Sequence, residues 1–273
     1  MTGIKDKLEQ ILSNDYLFKI DCTEFYYLKI ENKKSIYLKN NANIDELLTV
    51  LMSMDDCEEC FIFEFNTDYM VELIANGFMI LSKRFFIDFS NNFLFKKPDH
   101  QNFISDILLN PRLFKNNPVI FFDNLHVSKS TKRIASKYEL KVDFDFETIV
   151  DKCAEIHGEN WLTEPLRNCF KELHNYSNIK IKMISFGVYK GGILEAGEFG
   201  VITKGIYTSY SGYHDTSSAG TVQIALMLKY LNEKGFCFCS MPGSRIDYDK
   251  IVEYKYRFGA KDINRKEYIK YFV

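Results

Sequence analysis

The feature that most constrains the fold is the order of elements between residues 181 and 240. The strand-like runs IKIKMISFGVYK, ILEAGEFGVI and IYTSY are separated by two tight turns, Gly191-Gly192 and Lys204-Gly205. Two-residue turns connect antiparallel neighbours, so the three runs predict a meander. The long apolar stretch that follows, ending at Gly235, predicts a helix, and FCFCS predicts a further strand. This order favours an α+β fold with a mostly antiparallel sheet.

The loop HDTSSAG leads directly into the predicted apolar helix. The first turn of a helix leaves backbone N–H groups without an intrahelical partner and carries partial positive charge. The N–H groups at 217 to 220 therefore suit a phosphate, a carboxylate or the oxyanion of an acyl transfer. A capped core helix after an ordinary turn would use the same residue types, so both interpretations stay open.

Two helices are predicted before the meander. DFETIVDKCAEIHG ends at Gly158, and Thr163-Glu164-Pro165 begins the second helix with a capping threonine and an early proline. Apolar residues recur at helical spacing in both. Their predicted buried faces are Phe146, Ile149, Val150, Cys153 and Ile156 in the first helix, and Leu166, Phe170 and Leu173 in the second.

The first hundred residues alternate strand-like and helix-like runs, after a short amphipathic start with Ile4, Leu8 and Ile11 on one face. Residues 96–118 hold three of the five prolines and several asparagines, which is typical of a boundary. We therefore expect a small N-terminal α/β domain over residues 1–117 and a second domain over residues 118–273.

Composition excludes several classes of protein. The net charge of −2 gives no general attraction to nucleic acid, so a polyanion would need a local patch. No apolar run of 18 residues and no signal-peptide core is present, so we expect a cytoplasmic chain without a membrane span. The seven cysteines then indicate reduced thiols. Cys57 and Cys60 form one CxxC without a second pair, so we expect no metal site.

The strongest local cationic stretch is LHVSKSTKRIASKYEL, at residues 125–140. Its basic residues are spaced so that they share one helical face, with no acid among them, and Ser128 or Ser130 can cap the helix. Such a face can follow a phosphate backbone, and it can equally be an ordinary solvated surface. The residues concerned are Lys129, Lys132, Arg133 and Lys137.

Several segments together resemble one known family. LHVSKSTKR, HGENWLTEPL, LEAGEFGVITKGIYTSYSGY, the helix that begins with Ala-Gly, and RFGAKDINRKEY occur in the same order in the leucyl/phenylalanyl-tRNA–protein transferases. The resemblance covers about residues 119–273 and is close to a divergent, non-bacterial-type branch. It implies a GNAT-like acyltransferase domain that moves an amino acid from aminoacyl-tRNA to the N-terminal amine of an acceptor protein. In bacteria this reaction marks proteins for N-degron proteolysis.

The resemblance, with the chemistry of the residues, suggests a site. It implies a Leu- or Phe-like amino acid, no cofactor and no metal, with aminoacyl-tRNA and an acceptor N-terminus as partners of a monomer. Lys129, Lys132, Arg133 and Lys137 would bind tRNA. An aminoacyl or adenosine pocket is expected at Trp161, Tyr207, Tyr213, Ser218 and Gly220, and the catalytic candidates are Tyr210, Ser211, His214 and Ser240.

The sequence departs from the bacterial pattern at its polar side chains. Tyr210 stands where the bacterial third strand has a glutamate, and Ser240, Met241 and Pro242 stand where it has Asp-Cys-Gln. The tryptophan-rich motif has no match either, and the lone tryptophan is Trp161.

Several groups could replace the missing base. Candidates in the loop are Tyr210, His214 and Asp215, and candidates in the later insert PGSRIDYDKIVEY are Asp247, Tyr248 and Glu253. The tRNA ribose could also move the proton, and then no side-chain base is needed.

Two alternatives remain. A GNAT-type acyl-CoA N-acyltransferase would need a Gly/Arg-rich pyrophosphate loop, which DTSSAG does not provide. A catalytically silent protein that binds tRNA or an N-terminus would explain why the bacterial polar residues are missing.

Overall fold

The structure is a computed structural model that describes residues 17–20, 23, 25–30, 33–39, 41–54, 57–88, 93–94, 103–158, 160–176, 178–216, 218–243 and 253–273. It divides into two compact units. The N-terminal unit is Met1–Leu113 with Asn160–Leu166, and the C-terminal unit is Phe114–Glu159 with Arg167–Val273. The predicted helix at the start of the chain lies outside the described residues. The domain boundary between residues 117 and 118 stays a prediction.

The described residues of the N-terminal unit form two sheets and two helices. The first sheet has the order β1-β2-β3-β4, in which only the described pair β3–β4 is parallel, and the second has the antiparallel order β6-β5-β7. The strands are β1 (Leu17–Lys19), β2 (Tyr26–Ile30), β3 (Lys33–Tyr37), β4 (Cys60–Phe61), β5 (Met79–Asp88), β6 (Phe93–Leu94) and β7 (Phe103–Arg112). The helices are α1 (Ile44–Ser53) and α2 (Thr67–Ala75). Strand β7 runs through part of the segment that its prolines and asparagines marked as a boundary.

Side chains at the helix ends explain where α1 and α2 begin. Asn43 accepts a hydrogen bond from the N–H of Glu46 at 3.1 Å, which satisfies one donor in the first turn of α1. In α2 the cap is Asn66, which accepts from the N–H of Tyr69 at 2.9 Å. The side chain one position before Thr67 therefore satisfies the first turn.

The C-terminal unit is built on a seven-stranded sheet with the order β14-β8-β13-β12-β11-β10-β9. Of its described neighbours only β12 and β13 are parallel, since the helix between them returns the chain to the same edge. The predicted meander is confirmed as β10-β11-β12. The strands are β8 (Asn116–Phe121), β9 (Glu139–Val142), β10 (Lys182–Lys190), β11 (Ile193–Thr203), β12 (Ile206–His214), β13 (Phe238–Ser240) and β14 (Lys261–Asn264).

Helices cover this sheet because each has an apolar face to bury. They are α3 (Lys129–Ala135), α4 (Phe146–His157), α5 (Glu164–Asn175), α6 (Ala219–Glu233), α7 (Glu253–Arg257) and α8 (Arg265–Ile269). Helix α6 buries Met227, Leu228 and Leu231 in the main core of the unit, together with Phe186 and Tyr207.

The predicted helix faces are confirmed with one exception. Leu166, Phe170 and Leu173 of α5 are buried. In α4 the side chain of Ile156 is 54% exposed, and Ala154 is buried instead. Ile156 falls in the last turn, so helical spacing alone overestimates how far the buried face extends.

The α+β class with mostly antiparallel sheets is thus confirmed. Among the described residues, no helix is long and apolar enough to cross a membrane.

Candidate functional site

An irregularity in β12 decides where the candidate side chains point. Gly200 pairs with Ser209 and Phe199 pairs with Ser211, so Tyr210 is an extra residue in β12. A bulge of this kind interrupts the alternation of side chains between the two faces of a sheet. Tyr210 and Ser211 therefore both face α4 and α5, whereas Tyr207 and Ser209 face α6.

On the α4–α5 face, the candidates pack into an apolar and aromatic layer. The Tyr210 ring lies 5.1 Å from that of Phe170 and 6.0 Å from that of Phe199. The Ser211 side chain is hydrogen-bonded to the thiol of Cys153, whose pKa is raised to about 12 by burial. The predicted aminoacyl or adenosine pocket, which includes Tyr207 and Tyr213, is thus divided between two faces.

Tyr213 shares the α4–α5 face. Its ring lies under the Lys152 ammonium, 5.1 Å from the ring centroid, and an added Cβ at Gly197 would contact both Tyr213 and Ile149. The buried Tyr213 hydroxyl has no hydrogen-bond partner within the described ranges. Burial, and then the nearby Asp215, raise the pKa of this phenol.

On the α6 face, a carboxylate is buried between β11, β12 and α6. Glu198 is only 3% exposed. Its Oε1 accepts a hydrogen bond from the Tyr207 hydroxyl at 3.0 Å, and its carboxylate is also hydrogen-bonded to Ser209 and Gln223. Burial raises the pKa of Glu198, while these hydrogen bonds and the nearby Lys255 act in the opposite direction. We call Glu198, Tyr207, Ser209 and Gln223 the buried polar cluster.

Ser240 lies at the end of β13 and is fully buried. Its Oγ accepts a hydrogen bond from the Tyr268 hydroxyl at 3.2 Å, and Tyr268 is also hydrogen-bonded to Thr208. These contacts connect β12, β13 and α8. The Ser240 hydroxyl thus belongs to the core of the sheet.

The N-terminal end of α6 carries the remaining candidates. Ser218 is the N-cap residue but makes no side-chain capping hydrogen bond. His214 is exposed, and an added Cβ at Gly220 would lie 2.7 Å from its ring. The structure therefore brings His214, Ser218 and Gly220 together at the tip of α6.

Acidic and hydroxyl side chains surround the loop before α6. Glu195 accepts hydrogen bonds from Thr216 at 3.0 Å and from the Tyr138 hydroxyl at 3.1 Å. Asp215 pairs with Lys152 at 3.5 Å. These contacts hold the loop in place. The carboxylates of Glu195 and Asp215 also place negative charge near the partial positive charge at the N-terminal end of α6.

The HGENW motif is divided between the two units. His157 Nε2 is 2.8 Å from the carbonyl oxygen of Gly212, so this histidine contacts β12. Trp161 belongs to the N-terminal unit, where its carbonyl accepts from the N–H of Ser82 at 3.0 Å and from the Ser82 hydroxyl at 2.7 Å.

The predicted cationic face is present in part, because Lys129, Lys132 and Arg133 lie on α3 whereas Lys137 follows the end of the helix at Ala135. Ser128 caps this helix by accepting from the N–H of Thr131 at 3.1 Å. All four basic side chains are exposed, and none has an ion-pair partner among the residues that the structure describes. Helix α3 packs against α6. The four residues of this cationic face are Lys129, Lys132, Arg133 and Lys137.

Among the described residues, the remaining sequence candidates form no metal centre. Cys57 and Cys60 are both buried. In the described part of the chain, no group of three or more His, Cys, Asp or Glu side chains could hold a metal ion. Glu253 begins α7, whereas Asp247 and Tyr248 lie outside the described residues.

A cavity of about 260 Å³ opens at the N-terminal end of α4, where no site was predicted. His174 lines it, stacks on Phe146 with ring centroids 4.0 Å apart, and pairs with Asp143 at 2.8 Å. Its other lining residues are Phe144, Asp145, Glu147, Thr148 and Asn175.

Sequence reasoning missed the buried polar cluster. Glu198 stands within the apolar run of β11, and Gln223 stands within the apolar stretch of α6. A polar side chain inside an apolar run is a signal for a buried hydrogen-bonded group, and both residues carried it. No such signal marks Lys255, because the segment YKYR that contains it is typical of an ordinary amphipathic helix.

Comparisons with known proteins agree with the resemblance seen in the sequence. The "Leucyl/phenylalanyl-tRNA--protein transferase" of Pseudomonas putida is 27% identical over 162 residues, which is 57% of this chain and 66% of that protein. The protein of the same name from Rubrobacter xylanophilus is 28% identical over 165 residues, which is 58% of this chain and 79% of that protein. The aligned part therefore spans just under two thirds of the Pseudomonas putida relative.

The comparison with solved structures found FemX, at 11% identity and a TM-score of 0.43, covering 94% of this chain and 89% of that one. A GCN5-related N-acetyltransferase from Kribbella flavida has 12% identity and a TM-score of 0.36, covering 96% and 93%. TM-scores below 0.5 do not establish a shared fold, and the GNAT-like character of the domain stays an expectation from the resemblance.

The sequence model of that family, described as "Leucyl/phenylalanyl-tRNA protein transferase", matches residues 119–272. This is more than half of the chain, and it includes the cationic face, the whole meander, α6 and the buried polar cluster. The chain belongs to the leucyl/phenylalanyl-tRNA protein transferase family.

Proposed function

We propose that this protein is an aminoacyl-tRNA–protein transferase, which moves an amino acid from a charged tRNA to the N-terminal amine of an acceptor protein. The observation that carries the proposal is the family match over residues 119–272. N-degron tagging is the purpose that the family resemblance implies. We propose a Leu- or Phe-like amino acid as the group transferred, and we propose that the chain acts as a cytoplasmic monomer.

The cationic face of α3 supports tRNA as the donor. Four exposed basic side chains without acidic partners among the described residues can neutralise phosphates and release counterions. Because α3 packs against α6, a tRNA bound on this face would lie on a helix that is in contact with the helix carrying the candidate site.

The chemistry requires little from the protein. The aminoacyl ester is already activated, so the enzyme must hold the ester and amine together, stabilise the tetrahedral oxyanion and accept one proton. At the tip of α6, first-turn N–H groups near Ser218 and Gly220 would stabilise the oxyanion. His214 is exposed beside Gly220, and we propose it as the proton acceptor.

The other candidates take different parts in this proposal. Tyr210 and Ser211 lie in the layer between the sheet and α4–α5, and Ser240 is buried in the sheet. We propose that they shape the sheet rather than exchange protons with substrate. Tyr213 remains a candidate for the wall of an aminoacyl or adenosine pocket, whereas Tyr207 is buried on the opposite face of the sheet and Trp161 belongs to the N-terminal unit. We place the catalytic domain at residues 118–273, after an N-terminal domain of residues 1–117.

A transfer assay tests the function. The purified protein is incubated with leucyl-, phenylalanyl- or arginyl-tRNA, each labelled on the amino acid, and with peptides that differ only at residue 1. We expect label in the peptide with leucyl- or phenylalanyl-tRNA and none after the peptide's amine is acetylated. Turnover with acetyl-CoA alone would instead support an acyl-CoA N-acyltransferase.

A second candidate is a catalytically silent protein that binds tRNA or a protein N-terminus. The full burial of Ser240, with its hydroxyl bonded to Tyr268, favours it, because this position corresponds to part of the Asp-Cys-Gln triplet of the bacterial pattern. Binding of charged tRNA without any transfer to the peptides would support this candidate.

A further inference from the structure

Lys255 is an almost fully buried lysine whose ammonium group contacts three successive backbone carbonyls. It lies in α7 and is 5% exposed. Its Nζ donates to the carbonyl oxygens of Met241 at 3.0 Å, Pro242 at 2.5 Å and Gly243 at 2.9 Å. An ammonium has three N–H donors, so every donor has an acceptor and the segment Met241–Gly243 is held at three consecutive points.

The acidic groups around Lys255 come from three strands of the same sheet. Glu198 on β11 has the largest effect, followed by Cys239 on β13 and Asp262 on β14, and each favours the charged ammonium. The Tyr254 ring lies 5.9 Å from Nζ. Glu198 is thus the main counter-charge, which connects Lys255 with the buried polar cluster.

We propose that Lys255 is a positioning residue for the transfer reaction, which fixes the Met241–Gly243 segment through its three carbonyl contacts. The inference rests on the proposed function. It concerns the segment that follows β13, because the resemblance aligns Ser240, Met241 and Pro242 with the triplet that takes part in catalysis in the bacterial pattern. In this chain the side chains of the triplet are replaced, so the backbone path of the segment is what remains to be positioned.

The contact depends on the proton that Lys255 carries. Burial lowers the pKa of Lys255 to about 8, against the opposing effect of Glu198, Cys239 and Asp262. A neutral amine has two N–H donors for three carbonyls, and its lone pair would face the third oxygen. The segment therefore loses one of its three contacts as pH rises through about 8.

The test compares wild type with Lys255→Arg and Lys255→Met. Arginine keeps a positive charge and several donors at every pH used, whereas methionine keeps the approximate length and removes both. Single-turnover transfer rates are measured from pH 6.5 to 9.5 with the same peptide for all three proteins, so that the titration of its N-terminal amine, with an ordinary pKa of about 8, is common to them. The dissociation constant of charged tRNA is measured separately at each pH.

We expect Lys255→Met to lower the transfer rate tenfold or more at pH 7, with tRNA affinity within twofold of wild type. Wild type should lose rate above pH 8, and the Arg variant should not. A lysine that only stabilised the fold would lower the melting temperature in both variants without changing the shape of the pH profile. If the transfer rate changes with pH in the same way above pH 8 in wild type and in the Arg variant, the proposal is overturned.

Hydrogen exchange keeps the test independent of the proposed function. In a peptide spanning residues 238–243, exchange corrected for the chemical rate should be faster above pH 8 than at pH 7 in wild type. If wild type exchanges faster above pH 8 but shows no transferase activity, the proposed function is rejected, while the contact of Lys255 with the Met241–Gly243 carbonyls is retained. Equal protection at both pH values would reject the contact, and this measurement needs no variant that must fold.

Discussion

The Tyr207 hydroxyl donates to the Glu198 carboxylate across 3.0 Å, between neighbouring strands and away from solvent. A carboxylate buried in this way is costly in its charged form, so it binds a proton more tightly in the folded than in the unfolded chain. Hydrogen bonds from Tyr207, Ser209 and Gln223 reduce this cost but do not remove it.

This carboxylate gives a prediction for stability against pH. The pKa of Glu198 is raised in the folded state from an ordinary value of 4.5. The tighter proton binding of the folded chain therefore stabilises it fully below pH 4.5, and this contribution is lost as pH rises through the folded pKa. We expect Glu198→Gln to gain stability relative to wild type as pH rises above 4.5, by at most about 1.4 kcal/mol per pH unit, until the folded carboxyl is ionised.

Urea unfolding at several pH values measures this difference. Glu233→Gln, on the solvent side of α6, is the matched control and should track wild type. A Glu198→Gln variant whose stability stays parallel to that of wild type over this range would show that burial does not perturb the carboxylate.

The bulge gives a prediction about two glycines. A Cβ on Gly200 would lie 2.3 Å from the carbonyl oxygen of Thr208, a backbone atom that cannot move away without breaking the β11–β12 pairing. A Cβ on Gly212 would have its nearest contact at 3.3 Å. We expect Gly200→Ala to cost at least about 2 kcal/mol and Gly212→Ala no more than about 1 kcal/mol. Urea unfolding of both variants checks the order, and equal losses would contradict the bulge geometry.

The meander, the helix after it and the cap of α3 could be predicted because each is set by local signals: tight turns, apolar runs and a serine before a basic helix. The bulge at Tyr210 has no such signal, since it depends on how β11 and β12 align over their whole length. Strict alternation along β12 would place Tyr210 and Ser211 on opposite faces of the sheet, whereas the bulge places both on the α4–α5 face. The predicted pocket therefore mixed side chains from the two faces.

The candidate site was predicted less well than the fold for the same reason. His214, Ser218 and Gly220 are close in sequence and lie together. Trp161 is distant from these residues in sequence and belongs to the N-terminal unit. Its contact with Ser82 depends on tertiary packing, which no local sequence pattern encodes. Lys255 lies 12 to 14 positions after the residues whose carbonyls it binds, and no local pattern encodes these contacts.

The choice between proton acceptors leads to a kinetic prediction. His214 is exposed at the tip of α6, whereas Tyr210 packs against Phe170 and Phe199. General base catalysis contributes about 100-fold or more, so His214→Gln should lower the single-turnover transfer rate by about that factor. Tyr210→Phe keeps the ring and should change the rate by no more than about threefold, well below the contribution of a general base. A larger loss for Tyr210→Phe than for His214→Gln would move the proton acceptor to the α4–α5 face.

The cationic face leads to a binding prediction. The double variant Lys132→Glu with Arg133→Glu should weaken tRNA binding and reduce the slope of log K against log salt by roughly 1.5 to 2, since two phosphate contacts are lost. Filter binding with uncharged tRNA at several salt concentrations measures both. Lys266→Glu with Lys270→Glu changes the net charge equally at the exposed end of α8 and should leave the slope unchanged. If both double variants have the same effect, the net charge of the chain and not α3 attracts the RNA.

The extra residue in β12 also affects how this chain can be compared with its relatives. Removing Tyr210 would restore regular pairing and leave every later side chain of the strand, up to His214, facing the layer that it faces now. A relative whose third strand is regular therefore matches this chain on both sides of the bulge only when the extra residue is left without a counterpart. Equivalent side chains beyond Tyr210 are found by the layer they enter and not by counting along the strand.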